Sequence, residues 1–415
     1  MRIAVVGSGI SGLVCAWLLQ RNHEVTVFEA GSHIGGHTNT VPVALGGRTW
    51  SVDTGFIVFN PLNYPNFCRI LDQLGVDSQE SDMGFSVRCH STGLEWNGKD
   101  LRRIFVQKRN LLRPRFLAMV RDILRFNKLA KAVADAGEST ETLGSFCQRH
   151  HLGLWFQQYY IVPMASAIWS MPPVDIMNFP LLTMARFMDQ HRMLTVDDRP
   201  QWRTVSGGSW SYVRAMTADF RDRIHTNTPV RTIRRSEDGI HIATDSDEAR
   251  FDHVIMACHS DQALALLKDP SEAEQAVLGA IRYQANEATL HTDDSLMPQR
   301  KGAWAAWNAH VDPSKLEQPA SLTYNMNILQ GLHAPKQFLV TLGGAIDIAE
   351  DQVIRRIRYH HPLFTNAAIA AQGQHDQISG QRNTHYCGAY WGFGFHEDGV
   401  VSALRVCKHF GEALP

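Results

Sequence analysis

A glycine-rich turn near the amino terminus constrains the fold more than any other feature of the sequence. Residues 7–12 read GSGISG, and they join the apolar run 3–6 to a helix-like stretch over 13–20. A second apolar stretch, 24–28, ends at Glu29, which lies 17 residues after the last glycine of the turn. This order of strand, glycine turn, helix, strand and carboxylate is typical of a dinucleotide-binding unit in an α/β fold.

Each glycine of the turn has a separate task in such a unit. Gly7 permits the tight turn, Gly9 lets backbone N–H groups approach a pyrophosphate, and Gly12 allows the helix to pack closely on the strand. The pyrophosphate is stabilised by the positive end of the helix, and Glu29 accepts hydrogen bonds from the ribose hydroxyls. The chain is therefore predicted to be built around a nucleotide cofactor.

A second glycine pair, Gly35-Gly36, begins six residues after Glu29 and indicates another backbone segment that passes close to the cofactor. An NAD-binding unit does not need this pair. The first turn, Glu29, the glycine pair and residues 52–56 (VDTGF) together resemble the FAD-binding start of the amine oxidase and phytoene desaturase superfamily. Many members have arginine at the position of His37, whereas desaturase-like branches often have histidine.

Later segments resemble the same superfamily. Residues 229–231 and 251–258 resemble its returning segment, while 386–390 and 397–401 resemble the strand, turn and helix start that hold the ribityl chain and the flavin pyrimidine edge. The resemblance implies FAD, and residues 378–381 contain no cysteine for covalent attachment, so non-covalent binding is expected. The expected cofactor contacts are Gly7, Ser8, Gly9, Ile10, Ser11, Gly12, Glu29, Ala30, Gly35, Gly36, His37, Thr38, Gly55, Phe56, Val230, Ala257, Cys258, Gly388, Ala389, Asp398, Gly399 and Val400.

The positions of these motifs predict two discontinuous domains. Residues 1–85, 200–260 and 345–415 are expected to form a Rossmann-like FAD-binding domain, an α/β fold with a parallel sheet in a three-layer arrangement. Residues 86–199 and 261–344 are expected to form an α+β substrate-binding domain with a helical subdomain. A length of 415 residues agrees with two domains, because single cores rarely grow beyond about 250–300 residues.

Composition narrows the choice of partners and compartment. The formal net charge is −1, and we expect no nucleic-acid partner. Seven scattered cysteines without a Cys-x-x-Cys pair argue against a disulfide framework and against a metal site. The first strand begins next to Met1, which leaves no room for a signal peptide, so a cytoplasmic location is expected. The oligomeric state cannot be predicted.

The segment from residue 102 to residue 131 departs from the overall charge balance, because it is strongly basic. Its only acid is Asp122, and its ten basic residues are Arg102, Arg103, Lys108, Arg109, Arg113, Arg115, Arg121, Arg125, Lys128 and Lys131. After Pro114 the apolar residues recur at helical spacing, which predicts a basic amphipathic helix. One interpretation is that this helix rests on the inner face of an anionic membrane and collects a lipid substrate. The other is that it packs into the core and keeps its basic face in water.

Two other segments bear on the substrate. Large apolar residues crowd 155–171 and 179–188, either as the wall of a long apolar pocket or as ordinary core. A set of short motifs is similar to a bacterial branch of flavoproteins associated with cyclopropane and other modified fatty acid enzymes: residues 167–170, 290–293, 297–298, 304, 307–308 and 324–327. This resemblance implies an apolar or lipid substrate.

The favoured function is an FAD-dependent dehydrogenase or desaturase in which flavin N5 accepts a hydride from an apolar substrate, such as a methyl-branched fatty acyl chain. One alternative is a flavin amine oxidase that acts on a small amine. Another is a redox-neutral FAD-dependent isomerase or a non-catalytic flavoprotein partner. His291 and Tyr390 are the candidate catalytic residues. Lys301 is a candidate for the water-orienting lysine of amine oxidases, although its surroundings, QRKG, favour an exposed turn.

Overall fold

The computed structural model describes residues 1–195, 199–312, 321–343 and 346–415. In these ranges the strands are β1 (Arg2–Val6), β2 (Glu24–Phe28), β3 (Thr40–Leu45), β4 (Arg48–Asp53), β5 (Ser78–Ser81), β6 (Phe85–Cys89), β7 (Glu95–Asn97), β8 (Trp202–Val205), β9 (Ile224–His225), β10 (Thr232–Ser236), β11 (Gly239–Ala243), β12 (Glu248–Phe251), β13 (His253–Met256), β14 (Tyr283–His291), β15 (Trp307–Val311), β16 (Ser321–Asn325), β17 (Leu339–Leu342), β18 (Val353–Pro362) and β19 (Thr384–Tyr386).

The helices are α1 (Ile10–Leu19), α2 (Pro65–Leu74), α3 (Leu101–Ile104), α4 (Pro114–Ala136), α5 (Leu143–Arg149), α6 (Leu154–Phe156), α7 (Val162–Trp169), α8 (Pro173–Ile176), α9 (Leu181–Gln190), α10 (Trp210–Met216), α11 (Ser260–Leu266), α12 (Glu272–Ala280), α13 (Met326–Leu329), α14 (Asn366–Gln372), α15 (His375–Ile378) and α16 (His396–His409).

A five-stranded parallel sheet carries the glycine-rich turn. Its strand order is β19-β13-β1-β2-β9, so strands from both ends of the chain lie side by side. In β1, Ile3 and Val5 pack toward a cluster that includes α1, α2 and α16, whereas Ala4 and Val6 pack toward the antiparallel sheet β10-β11-β12. The alternation follows from the two-residue period of a strand. It produces the predicted three layers, and the predicted α/β fold is confirmed.

A seven-stranded mixed sheet forms the second body of β-structure. Its order is β18-β14-β17-β16-β15-β6-β7, and β14 pairs with β18 along its whole length. The predicted assignment of residues 345–415 to the FAD-binding domain is therefore wrong for β18, which belongs to this sheet. Its sequence, VIRRIRYHHP, lacks a regular apolar alternation that would have indicated the pairing. The predicted boundary at 344–345 itself lies outside the described residues.

Helices α4 to α9 cover one face of the seven-stranded sheet and share a core with it. The longest, α4, begins at Pro114 and ends before Gly137, whose φ of +75° closes the helix in a left-handed conformation. Its apolar residues Phe116, Met119 and Phe126 are buried in this core. Much of the apolar face of α4 is thus packed inside the protein, whereas Leu124 on the same helix is 55% exposed. Within the described ranges, no helix combines the length and the hydropathy that a membrane span requires.

Candidate active site

A cavity of about 1520 Å³ runs from the carboxyl ends of the parallel strands to the seven-stranded sheet and the helical subdomain. Val6, Phe28 and Ala257 line it at the parallel sheet, and Trp307 and Tyr324 line it at the opposite end. Ligands of open parallel sheets bind at the carboxyl ends of the strands. The volume exceeds the 300–1,000 Å³ that is typical of small-molecule pockets, so the cavity has room for a large cofactor together with a substrate.

The glycine-rich turn lies at one end of the cavity with the geometry that the sequence predicts. Gly7 has a φ of +105°, and a Cβ there would lie 2.7 Å from the carbonyl oxygen of Ala257. A Cβ on Gly12 would lie 2.0 Å from the carbonyl oxygen of Gly7, so only glycine allows this close packing of helix on strand. Gly9, which like Gly7 lines the cavity, differs from both because its Cβ would meet no protein atom within 4 Å.

Glu29 lies beside this turn at the end of β2 and lines the cavity. Its carboxylate accepts hydrogen bonds from the backbone N–H of Ser8 (3.0 Å), the Ser8 hydroxyl (2.6 Å) and the backbone N–H of Gly31 (2.8 Å). These three donors fix the carboxylate at the cavity edge. The arrangement is the one that a ribose-binding acid needs.

The second glycine pair brings another segment against the first turn. The backbone N–H of Gly35 donates to the carbonyl oxygen of Ser8 over 2.9 Å, and a Cβ on Gly36 would lie 3.1 Å from the Cα of Gly9. Both glycines have positive φ, +116° and +58°. The segment thus passes close to the first turn, and its predicted close approach to the cofactor stays a prediction. Gly55 and Phe56 line the cavity next to this segment.

A group of four histidines lines the cavity near the glycine pair, and only His37 of these was predicted. The others are His259, which lies past the end of β13, and His360 and His361 on β18. The ring of His37 lies 5.2 Å from that of His361, and those of His259 and His360 are 5.9 Å apart. Burial lowers the pKa of His37 and His259 to about 4 each and that of His361 to about 3, so these rings are neutral at pH 7.

Val230, Ala257 and Cys258, which the sequence predicts as cofactor contacts, form another part of the cavity wall. Ala30 also lines the cavity, next to Glu29. Burial raises the pKa of the Cys258 thiol to about 12, so the group stays protonated and acts as an apolar part of the wall.

The carboxyl-terminal motif contributes in two ways. Gly388, Ala389 and His396 line the cavity, and His396 stacks on Phe56 with ring centroids 3.6 Å apart. Ser11 also lines the cavity, and its hydroxyl donates to the Gly399 carbonyl over 2.8 Å. Thr38 lies behind the wall, where its hydroxyl bonds to that of Tyr212 over 2.5 Å. Gly12, Thr38, Asp398, Gly399 and Val400 are not among the lining residues.

Glu397 has a structural task that the sequence did not reveal. Its carboxylate accepts the backbone N–H groups of Asn66 and Phe67, each over 3.0 Å, in the first turn of α2. Asp398 accepts from the backbone N–H of Phe395 over 2.8 Å, and burial raises its pKa to about 6. Glu397 therefore holds the start of α16 against α2, while Asp398 caps the N-terminus of its own helix.

The two candidate catalytic residues have different positions. Tyr390 lines the cavity, and burial raises the pKa of its hydroxyl well above the usual value, so at pH 7 it is a hydrogen-bond donor and not a base. His291 does not line the cavity. Its Nε2 bonds to the Thr341 hydroxyl over 2.8 Å, and its Nδ1 accepts the backbone N–H of Asp293 over 3.1 Å. The prediction that His291 acts in catalysis is wrong in position, because the residue lies outside the cavity wall and both of its ring nitrogens have partners in the protein.

The end of the cavity away from the glycine-rich turn is apolar. Its wall is built from β-strands and from the helices α7 and α9, and it includes Trp96, Tyr160, Met164, Ile168, Trp169, Phe187, Trp307, Tyr324, Phe364, Phe393 and Phe395. Residues 155–171 and 179–188 thus serve both predicted uses, since some line the cavity and others, such as Phe156 and Phe179, lie in the core. Lys301 is exposed and does not line the cavity.

The residues at the cofactor end fit FAD. The Gly9 position is open toward the cavity, and the N-terminus of the ten-residue helix α1 points its free N–H groups there. Two buried polar atoms of lining residues, the Tyr390 hydroxyl and His37 Nε2, have no hydrogen-bond partner among the described residues. Buried polar groups are normally paired, so these atoms indicate a polar ligand.

Comparison with known proteins agrees with this cofactor. The model of the family described as flavin-containing amine oxidoreductase matches residues 10–330. An L-amino-acid oxidase of Siganus canaliculatus is 23% identical over 344 residues, which cover 80% of this chain and 64% of that protein's length.

Solved structures share the fold along almost the whole chain. A cyclohexylamine oxidase from Brevibacterium oxydans is 15% identical with a TM-score of 0.70, and the match covers 99% of each chain. A CLA-producing fatty acid isomerase from P. acnes is 16% identical with a TM-score of 0.65, and the match covers 99% of this chain and 98% of that one. The predicted cofactor, FAD, is confirmed by the family. The chain belongs to the family of flavin-containing amine oxidoreductases.

Proposed function

We propose that this protein is an FAD-dependent dehydrogenase that removes a hydride from a carbon atom of a long apolar substrate, such as the acyl chain of a lipid. The observation that carries the proposal is the apolar wall of the cavity beyond the cofactor end. This wall combines tryptophan, phenylalanine and methionine side chains from the seven-stranded sheet and from the helices that cover it. An extended hydrocarbon chain fits such a wall because its burial there is favourable along its whole length.

The distribution of charge supports an uncharged reacting group. At this end of the cavity the charged side chains among the described lining residues are Glu80, Asp82, Lys99, Arg192 and Arg199, and each of them is exposed or half-exposed. His191 is buried there, and its pKa is lowered to about 4 by that burial, so it is neutral. An amino acid or a diamine carries a charged group in addition to the reacting amine. Such a group would be buried in the cavity, and a buried charge without a partner is very unfavourable.

The protein's own groups then have simple tasks. Bound FAD supplies the hydride acceptor. The apolar wall excludes water and holds the substrate carbon in place, which is the main contribution that a protein makes to this class of reaction. The protonated hydroxyl of Tyr390 can donate a hydrogen bond inside the cavity.

Oxidation of a small uncharged amine is the second candidate. It is supported by a group of aromatic rings: Phe187 stacks on Phe395 at 4.8 Å and lies 5.7 Å from Phe393. Rings of this kind can enclose a neutral amine. The exposed position of Lys301 weighs against this candidate, because Lys301 cannot orient a water molecule inside the cavity.

A redox-neutral reaction on a lipid is the third candidate. The fatty acid isomerase has the same fold, although an identity of 16% supports only the fold. The apolar wall would suit a fatty acid in either reaction.

Anaerobic titration of the purified holoprotein separates the three candidates. Bleaching of the flavin by phospholipid or free fatty acid, with a product that has lost two hydrogen atoms, is the expected result. Bleaching by monoamines and not by lipids would establish the amine oxidase instead. A shifted double bond without loss of hydrogen would establish the isomerase.

A variant of the wall tests the same proposal. Met164→Trp fills the apolar end of the cavity and should abolish bleaching by lipid while FAD remains bound. Val401→Trp is the matched control, since Val401 is exposed on α16 and does not line the cavity. Full activity of Met164→Trp would contradict the proposed binding site.

A further inference from the structure

We propose that residues 101–117 form a docking surface for an anionic phospholipid membrane, next to an opening of the cavity. This surface consists of α3, the 3-10 helix Lys108–Leu112 and the first turn of α4. The inference does not depend on the proposed reaction, because membrane binding is measured without turnover.

The first observation is a concentration of exposed leucines. Of the eleven large hydrophobic side chains that are exposed among the described residues, four lie in this surface: Leu101, Leu111, Leu112 and Leu117. Leu101 is 73% exposed and Leu112 is 87% exposed. Single exposed leucines are normal, but several within one short stretch mark a site of interaction.

The second observation is charge. Residues 101–121 contain seven basic residues and no acid. Three exposed basic side chains, those of Arg102, Lys108 and Arg115, have no carboxylate within salt-bridge distance in the part of the chain that the structure describes. Basic side chains around exposed leucines are complementary to a negatively charged bilayer, where the leucines enter the apolar layer and the basic groups meet the phosphates.

The third observation is that the surface is held in a fixed shape. Phe105 at the end of α3 and Phe116 in α4 pack with ring centroids 5.8 Å apart, so the elements that carry Leu101 and Leu117 lie together. The side chains of Gln107 and Arg109 both donate to the carbonyl oxygen of Gly93, at 2.8 and 3.0 Å. The leucines are therefore exposed on a folded surface.

The fourth observation is proximity to the cavity. Gly98 and Lys99 line the cavity, and Leu101 follows only two residues after Lys99. Lys99 is exposed and forms an ion pair with Asp82, which also lines the cavity, so the cavity opens to solvent at this point. Asp100 caps α3 by accepting the backbone N–H of Arg103 over 2.8 Å. A membrane in contact with the surface would thus lie beside the opening.

Sedimentation of the holoprotein with vesicles tests the proposal. The protein should bind vesicles of phosphatidylcholine mixed with phosphatidylglycerol and should bind pure phosphatidylcholine vesicles far more weakly. The double variant Lys108→Glu, Arg115→Glu should lower the partition coefficient by at least about 25-fold, since each basic side chain near an anionic surface contributes about a factor of five. Leu111→Ser with Leu112→Ser should also lower binding strongly, because the apolar insertion is lost.

Matched controls exclude effects of net charge and of folding. Lys268→Glu with Lys336→Glu changes the net charge by the same amount at exposed positions outside the surface, and it should bind like the wild type. The flavin absorbance and the melting temperature of every variant show whether it is folded. The proposal would be overturned by equal binding to both kinds of vesicle. It would also be overturned if the control variant lost as much vesicle binding as Lys108→Glu, Arg115→Glu, or if the leucine variant bound like the wild type. Either of these last two results would favour a general polyanion such as RNA.

Discussion

The Gly9→Ala substitution separates cofactor binding from folding. Gly9 has φ −67° and ψ 178°, which any residue adopts, and its Cβ would contact no protein atom. The added methyl group would instead enter the cavity beside the N-terminus of α1. We therefore expect the variant to fold normally and to bind FAD weakly.

The magnitude of each effect follows from the same geometry. Replacing glycine by alanine at an unstrained position stabilises the apoprotein by about 0.4–1 kcal/mol, because the unfolded chain loses freedom. A methyl group forced against a closely packed ligand costs about 1–3 kcal/mol, which corresponds to a roughly 5- to 150-fold weaker affinity for FAD. At a FAD concentration of about 100 times the wild-type Kd, the wild type gains about 2.7 kcal/mol, whereas a variant with 100-fold weaker affinity gains only about 0.4 kcal/mol.

Two measurements check this prediction: urea unfolding of the apoprotein, and fluorescence titration of the apoprotein with FAD. Gly12→Ala is the contrasting variant, because its Cβ would lie 2.0 Å from the Gly7 carbonyl oxygen and should destabilise the apoprotein itself. The reasoning is refuted if Gly9→Ala binds FAD as tightly as the wild type, or if its apoprotein is destabilised as much as that of Gly12→Ala.

Three further predictions concern stability and catalysis. Lowering the pH from about 7 to about 5 should reduce the free energy of unfolding by several kcal/mol, since buried histidines such as His361 and His396, with pKa values of about 3, bind fewer protons in the native state than in the unfolded chain. Glu274→Gln should destabilise by up to about 3–5 kcal/mol, because the buried Arg235 guanidinium, which Glu274 Oε1 meets at 2.5 Å, then keeps only the partly exposed Asp269 as a charge partner. Lys301→Ala should leave kcat/KM unchanged with any substrate, because the side chain lies outside the cavity.

Each of these predictions has its own check. The pKa of Asp53, which burial raises to about 6, stabilises the native state as the pH falls from 6 to 4 and so opposes the effect of the histidines. A free energy of unfolding that stays constant or rises from pH 7 to pH 5 would show that the histidines are not neutral in the native state. Glu350→Gln breaks an exposed ion pair with Arg356 and should change unfolding little in comparison with Glu274→Gln. A large loss of activity in Lys301→Ala would place this lysine near the reaction.

The sequence predicted the cofactor end of the site because its signals are local. The turn at 7–12, Glu29 and the pair Gly35-Gly36 lie within the first 36 residues, and each of these glycines except Gly9, which faces the cavity, is required by a close backbone contact or a positive φ. Short-range requirements of this kind leave a clear pattern in the residues themselves.

The features that were not predicted depend on long-range pairing. His360 and His361 reach His37 only because β18 pairs with β14, and the charged sequence of β18 carries no apolar alternation that would indicate this. His291 was a reasonable catalytic candidate as a residue type, but its hydrogen bond to Thr341 depends on the register between β14 and β17. Register between distant strands is set by packing of the whole sheet, which a single sequence does not display.

The parallel sheet has a consequence for biosynthesis. Its central strand β1 starts at residue 2, and its edge strand β19 ends at residue 386, so the layer cannot be completed until most of the polypeptide has been synthesised. Pairing over such a separation is slow, because a very long loop must close first. Because Gly388, Ala389 and His396 of the cavity wall also follow β19 in the chain, we expect nascent chains arrested before these residues to remain colourless.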